Sequence, residues 1–149
     1  MTVGNGIASW SITADLSVSP PRISVPREYN AAHDLIERNL LAGRAGKLAF
    51  VDDQGRYSFG ELAERVNRFG SGLLAMGLEM EQRVLIALTD TIDFPTAFLG
   101  CIKAGIVPVA FLMLLAAEDE KHMPAASRAR ALWRSGPLTP YFAPPLGRA

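Results

Sequence analysis

The sequence predicts an α/β fold, an incomplete Rossmann-like layered subdomain, on three observations. A helix with complete start and stop signals occupies "YSFGELAERVNRFGSGLLAMG", residues 57–77. "QRVLIALTD", residues 82–90, is a continuous apolar run, as expected of a parallel strand covered on both faces. "FPTAFLGCIKAGIVPVA", residues 94–110, then reads as a helix followed by a buried strand. Strand, helix and strand make one right-handed crossover.

In chain order, residues 1–28 form a disordered or extended leader. They are rich in Ser, Pro and Gly, and "SVSPPRISVP" shows no sustained period. "NAAHDLIERNLLAG" predicts a short amphipathic helix, with Asn30 as cap, Ala31, Leu35, Ile36 and Leu40 as the apolar set, and Gly43 as stop. "KLAFVDDQGRYSF" reads as a hairpin turning at Asp53-Gln54-Gly55. In the helix that follows, Ser58 and Glu61 have the spacing of a capping box, and Tyr57 and Leu62 that of a hydrophobic staple. Leu62, Val66, Phe69 and Leu73 make one face, and Gly77 ends the helix. Asp93 is the expected N-cap of the next helix, about 94–104, with Pro95 in its first turn. A buried strand over about 106–110 follows.

Phe94 to Ala117 is long enough to cross a bilayer and carries one charge, Lys103. That lysine stands near the middle, where insertion costs roughly 2.5–3.5 kcal/mol. Gly105 and Pro108 then break the run, so it reads as the interior of a layered domain.

The chain is 49% hydrophobic and 20% charged, enough for a core, and its formal net charge is zero. The four arginines after Pro124 (Arg128, Arg130, Arg134, Arg148) have no acid among them. They read as solvated surface rather than as a nucleic-acid or acidic-lipid contact. Cys101, the single cysteine, excludes an intramolecular disulfide and sits among apolar residues, where a buried hydrophobe is expected. The first residues show neither a basic start nor an adequate apolar run, so a cytoplasmic protein is expected.

The chemical motifs are weak. "GRAGKL", residues 43–48, lacks the G-x-x-x-x-G-K spacing and a following Ser or Thr. It also leaves a helix for a strand, the reverse of a phosphate loop. "GSG", residues 70–72, reads as close helix packing. His33 and His122 lack metal-spaced partners, and Glu118-Asp119-Glu120 reads as the solvated start of a helix. Asp90 and Asp93 bracket the turn after a strand's carboxyl end, where open α/β sheets place ligands. A loop acid and a helix cap account for both.

The stretch from "YNAAHDLIERNLLAG" to "CIKAGIVPVA", Tyr29–Ala110, closely resembles the N-terminal part of benzoate–CoA ligases, within the acyl-adenylate-forming, AMP-binding superfamily. "YSFGEL" looks like its first core motif and "CIKAGIVPV" like its second. "YNAAHDLIERN" and "DFPTAFLG" narrow the likeness toward aryl–CoA ligases.

The resemblance implies, for the full-length family, activation of an aryl carboxylate with ATP and magnesium, then transfer to coenzyme A with release of AMP and pyrophosphate. The family's phosphate loop, magnesium and ribose carboxylates and catalytic lysine lie in later segments. Both matched motifs are structural, so the expected catalytic, cofactor-binding and metal residues in this chain are none. It is expected to bind no cofactor itself, to take no nucleic-acid or membrane partner, and to be inert alone. Its expected partner is the missing remainder of the ligase. The alternative is a non-catalytic interaction module or split-enzyme subunit.

Residues 111–149 are expected to be a degraded or frame-disturbed, truncated continuation. Phe111-Leu112-Met113 replace the family's usual segment, and Trp133-Arg134 stand where small apolar strand residues are expected.

Overall fold

The computed structural model of the chain describes residues 10–111 and 126–136. Its elements are β1 (Thr13–Asp15), β2 (Arg22–Ser24), α1 (Ala31–Leu41), β3 (Leu48–Asp52), β4 (Gly55–Ser58), α2 (Phe59–Ala75), β5 (Arg83–Ala87), α3 (Asp93–Lys103), β6 (Val107–Ala110) and β7 (Ala131–Arg134). β1–β2 and β3–β4 are antiparallel pairs. The third sheet is parallel, in the order β6-β5-β7.

The central strand explains the layering. Val84, Leu85, Ile86 and Ala87 of β5 are all fully buried. Alternate side chains of a strand point to opposite faces. Val84, Ile86 and Leu88 pack with Leu73, Ala97, Cys101 and Ile106, the layer of α2 and α3. Leu85 and Ala87 pack with Phe111 and Ala129 on the opposite side. A third cluster joins α1 and α2 through Ile36, Leu62, Ala63, Val66 and Ile92. Full burial of one such aliphatic side chain contributes about 1.5–3 kcal/mol.

The local signals at α2 work as expected. Glu61 N donates to Ser58 Oγ at 3.3 Å and Ser58 N donates to Glu61 Oε2 at 2.8 Å, closing the capping box. Tyr57 packs into the cluster that contains Leu62. Gly43, Gly77 and Gly105, just past the ends of the three helices, have φ between 71° and 83°, a left-handed turn that a Cβ would oppose. Gly70 comes so close to α3 that an added Cβ would stand 3.0 Å from the Gly100 carbonyl oxygen, so it is a packing residue.

Four expectations change. Asp93 does not cap α3: Ile92 holds the cap position with no side-chain bond, and Asp93 is the first helical residue. The free N–H of Ile92 instead donates to Asp52 Oδ2 at 2.8 Å, from a distant turn. The inward face of α1 is Ala32, Asp34 and Ile36, while Leu35 is half-exposed. That face is rotated because the chain before α1 lies against Asp34. Residues 13–15 and 22–24 of the leader pair as a hairpin, an element with no periodic signal long enough to announce it. Trp133 and Arg134, unexpected as strand residues, do form β7. It pairs with β5 on one side, and the Trp133 ring meets Phe69 edge-on at 5.0 Å.

Arg128 and Arg130 are exposed, as expected of solvated surface. The stretches around Glu118-Asp119-Glu120, His122 and Arg148 lie outside the described residues. Among the described residues no helix is long and apolar enough to cross a membrane. Lys103, the charge that interrupts the long apolar run, pairs with Glu37 at 3.2 Å.

Candidate functional site

The carboxyl ends of β5 and β7 adjoin, the position at which parallel α/β sheets open toward ligands. Thr89 N donates to Ser135 Oγ at 3.2 Å, and Ser135 N donates to the Ala87 carbonyl oxygen at 3.0 Å. The two hydroxyls lie 3.4 Å apart. Asp90 is exposed on the loop that follows. Asp93 is turned away to Arg65 at 3.8 Å, and Arg65 also stands over the Tyr57 ring, 5.1 Å from its centroid. Of the two acids that bracket this loop, Asp93 is thus paired with Arg65. What remains is a pair of hydroxyls and one solvated carboxylate. That set offers hydrogen bonds to a ligand but no nucleophile paired with a base. Among the described residues no group of three or more His, Cys, Asp or Glu is placed to hold a metal ion.

"GRAGKL" was excluded as a phosphate loop on spacing, and its geometry agrees. The N–H groups of Gly43, Arg44 and Lys47 are spent on the carbonyls of Leu40, Asn39 and Arg44. A phosphate cradle needs such donors unspent and converging.

Cys101 is fully buried, and burial pushes its thiol up to about 12. A thiol so far from ionisation is a packing group, not a nucleophile. His33 meets the Trp10 ring edge-on at 4.6 Å.

Three polar junctions tie distant elements together, and of them only the capping of α1 by Asn30 was read from the sequence. Asp52 accepts from Gln54 N and Gly55 N in its own turn and from Ile92 N at the start of α3. Burial acts to raise its pKa, but these donors prevail and hold the carboxyl below its ordinary value. Asn30 accepts from His33 N through Oδ1 and donates through Nδ2 to the Ile102 carbonyl at 2.8 Å, so one side chain caps α1 and ends α3. Asp34 accepts from Ser11 Oγ, Ile12 N, Tyr29 OH and Arg38. The i,i+4 spacing of Asp34 and Arg38 was the available signal. The long-range donors had none.

Cavities also open among the described residues. One of about 150 Å³ lies between α2 and α3, against Val66, Gly70, Leu74 and Lys103. Another, about 400 Å³, lies at the amino end of β5 between Arg83 and Arg128.

A parallel sheet layered with helices matches the N-terminal domains of acyl-adenylate-forming enzymes. The family model for "AMP-binding enzyme" matches residues 37–139, and the chain belongs to that family. It is 53% identical over 136 residues to benzoate–CoA ligase of Thauera aromatica, covering 91% of this chain and 26% of that protein. It is 44% identical over 114 residues to the 4-hydroxybenzoate–CoA/benzoate–CoA ligase of Rhodopseudomonas palustris, covering 76% and 21%. The solved benzoate CoA ligase of Burkholderia xenovorans LB400 superposes with a TM-score of 0.71 at 43% identity, over 75% of this chain and 22% of that one. The chain spans about a quarter of the length of the curated relatives it matches most fully.

Proposed function

We propose that this chain is the N-terminal part of an ATP-dependent aryl-carboxylate–CoA ligase of the benzoate type, and is catalytically inert by itself. The observation that carries the reading is the 53% identity to a benzoate–CoA ligase, sustained over most of this chain. In such a ligase the carboxylate is joined to AMP with loss of pyrophosphate, then to coenzyme A. The role of this part is to supply one layered face of the nucleotide-binding domain. Aromatic-acid degradation and a cytoplasmic setting, where ATP and coenzyme A are at hand, go with that role.

Inertness follows from charge. Adenylation develops negative charge at the α-phosphate, which positioned cations and donors must meet. Neither "GRAGKL" nor Asp90 and Asp93 supply them. Among the described residues nothing supplies the proximity and electrostatic terms, each commonly worth several kcal/mol of barrier. The test is pyrophosphate exchange: purified protein with magnesium, ATP, labelled pyrophosphate and benzoate. No benzoate-dependent label should enter ATP. Label that appears with benzoate and disappears on unfolding the protein would defeat the reading of inertness.

A second reading, a split-enzyme subunit that pairs with a ligase partner, is favoured by the exposed apolar side chains Leu41, Met76, Met80 and Val107.

A further inference from the structure

The cavity of about 400 Å³ lies toward the amino ends of β5 and β7, away from the Thr89–Ser135 junction at their carboxyl ends. It is lined by Arg83, the first residue of β5, by Val109 of β6, and by Ala126, Ser127 and Arg128 on the way into β7. Two hydrogen bonds fix that approach. Arg130 N donates to the Arg83 carbonyl oxygen at 2.8 Å, tying the start of β7 to the start of β5. Ala129 N donates to Ser127 Oγ at 3.3 Å, and Ala129 is buried in the cluster of Leu85. Arg83 shares the Leu85 face of β5 by the two-residue period, and Arg128 directly precedes Ala129. Strand pairing and a buried anchor therefore hold the two arginines beside one hollow.

The charge there has one sign. Arg38, Arg65 and Lys103 each have a carboxylate partner, but among the described residues neither Arg83 nor Arg128 has one, and no acid lines the cavity. A guanidinium presents a planar fork of donors to the oxygens of an anion. We propose that this cavity binds a phosphomonoester, with its phosphate between Arg83 and Arg128. Such a phosphate carries a charge of about −1.5 to −2 near neutral pH, which matches two guanidinium groups, and its tetrahedral oxygens can face both. A carboxylate brings one charge and two oxygens in a plane. The volume lies within the ~300–1,000 Å³ of small-molecule pockets, so there is room for the organic part of the ester. The inference does not depend on the ligase reading, because it asks for no catalytic group and lies away from the carboxyl ends of the strands.

The test is arginine modification of the 149-residue chain by phenylglyoxal, followed peptide by peptide with mass spectrometry. Glycerol 3-phosphate should slow modification of Arg83 and Arg128 about tenfold at saturation, since a guanidinium held in a charge-assisted pair is withheld from the reagent. The exposed Arg22 and Arg56 should react as before, and sodium chloride of equal ionic strength should protect neither pair. Arg83→Gln should abolish the protection of Arg128, and Arg128→Gln that of Arg83, while Arg56→Gln changes neither. The unsubstituted chain decides the matter if a variant fails to fold. Uniform protection of Arg22, Arg56, Arg83 and Arg128, or protection by chloride alone, would overturn the proposal and leave solvated arginines. Protection by phosphatidic-acid vesicles but not by glycerol 3-phosphate would overturn it in favour of a lipid headgroup. Slow modification of Arg83 and Arg128 before any phosphate is added would overturn it too, because the chain's own acids at 118–120 would then be the anion.

Discussion

At the scale of single residues, the chain is stabilised by carboxylates that collect several donors. Asp34 is buried, and burial acts to raise its pKa, but Ile12 N, Ser11, Arg38 and Tyr29 outweigh it and hold the carboxyl below the ordinary value. A depressed folded pKa gives stability that is present above the unfolded value of about 3.9 and lost as pH falls through the folded one. Asp34→Ala leaves the Ser11 and Tyr29 hydroxyls and the Ile12 N–H without their acceptor, while half-exposed Arg38 turns to water. The expected cost is about 2–3 kcal/mol by urea denaturation at pH 7, and less at pH 3. An undiminished difference at pH 3 would remove the carboxylate from the account. Thr96 makes the opposite case. Its hydroxyl is buried without a hydrogen-bond partner. Thr96→Val keeps the shape and removes the stranded group, so it should leave stability unchanged or raise it by about 1 kcal/mol. A loss of more than that in the same measurement would mean that the hydroxyl has a partner in solution.

At the scale of elements, the α2–α3 contact rests on two glycines facing each other. A Cβ on Gly100 would stand 2.8 Å from Phe69 Cδ1 and 3.2 Å from the Val66 carbonyl oxygen. Gly100→Ala therefore has to push backbone as well as a ring, at an expected cost of about 1–3 kcal/mol. Gly72, two residues past the other contact glycine, meets nothing within 4 Å. Gly72→Ala should stabilise the chain by about 0.5–1 kcal/mol, since it fills an exposed position inside α2. Thermal unfolding of the two variants should shift in opposite directions; a shared direction would mean the helices do not meet as described. The same pair shows what was legible in the sequence. "GSG" could be read as close packing but not resolved into a packing and a free glycine, because the partner, Gly100, is distant in sequence. Periodicity and caps announced α2, β5 and α3, whose causes are local. The start of α3 was misplaced because Ile92 bonds Asp52 across the fold, and the face of α1 because Ser11 and Ile12 cover Asp34. The pairing of Asp93 with Arg65 required knowing where α2 falls against α3.

At the scale of the whole molecule, order should fall away from β5. This strand has a neighbour on each edge and side chains buried on both faces. Opening it exposes the clusters on both faces of the sheet at once, so its amides should report the global free energy of unfolding. β6 and β7 each have one described neighbour, and Pro108 removes a donor from β6. The hairpin β1–β2 has every residue exposed and no described layer over it, so it opens without disturbing the core. Hydrogen exchange should therefore protect Val84–Leu88 and Leu62–Leu74 best, Val107–Val109 less, and the hairpin amides at 13–15 and 22–24 least. The ordering follows from burial, not from secondary structure, because the hairpin and β5 are both hydrogen-bonded strands. Hairpin amides as slow as those of β5 in the isolated chain would mean that the hairpin is already covered. The chain would then be a self-sufficient domain rather than a part that awaits the rest of a ligase.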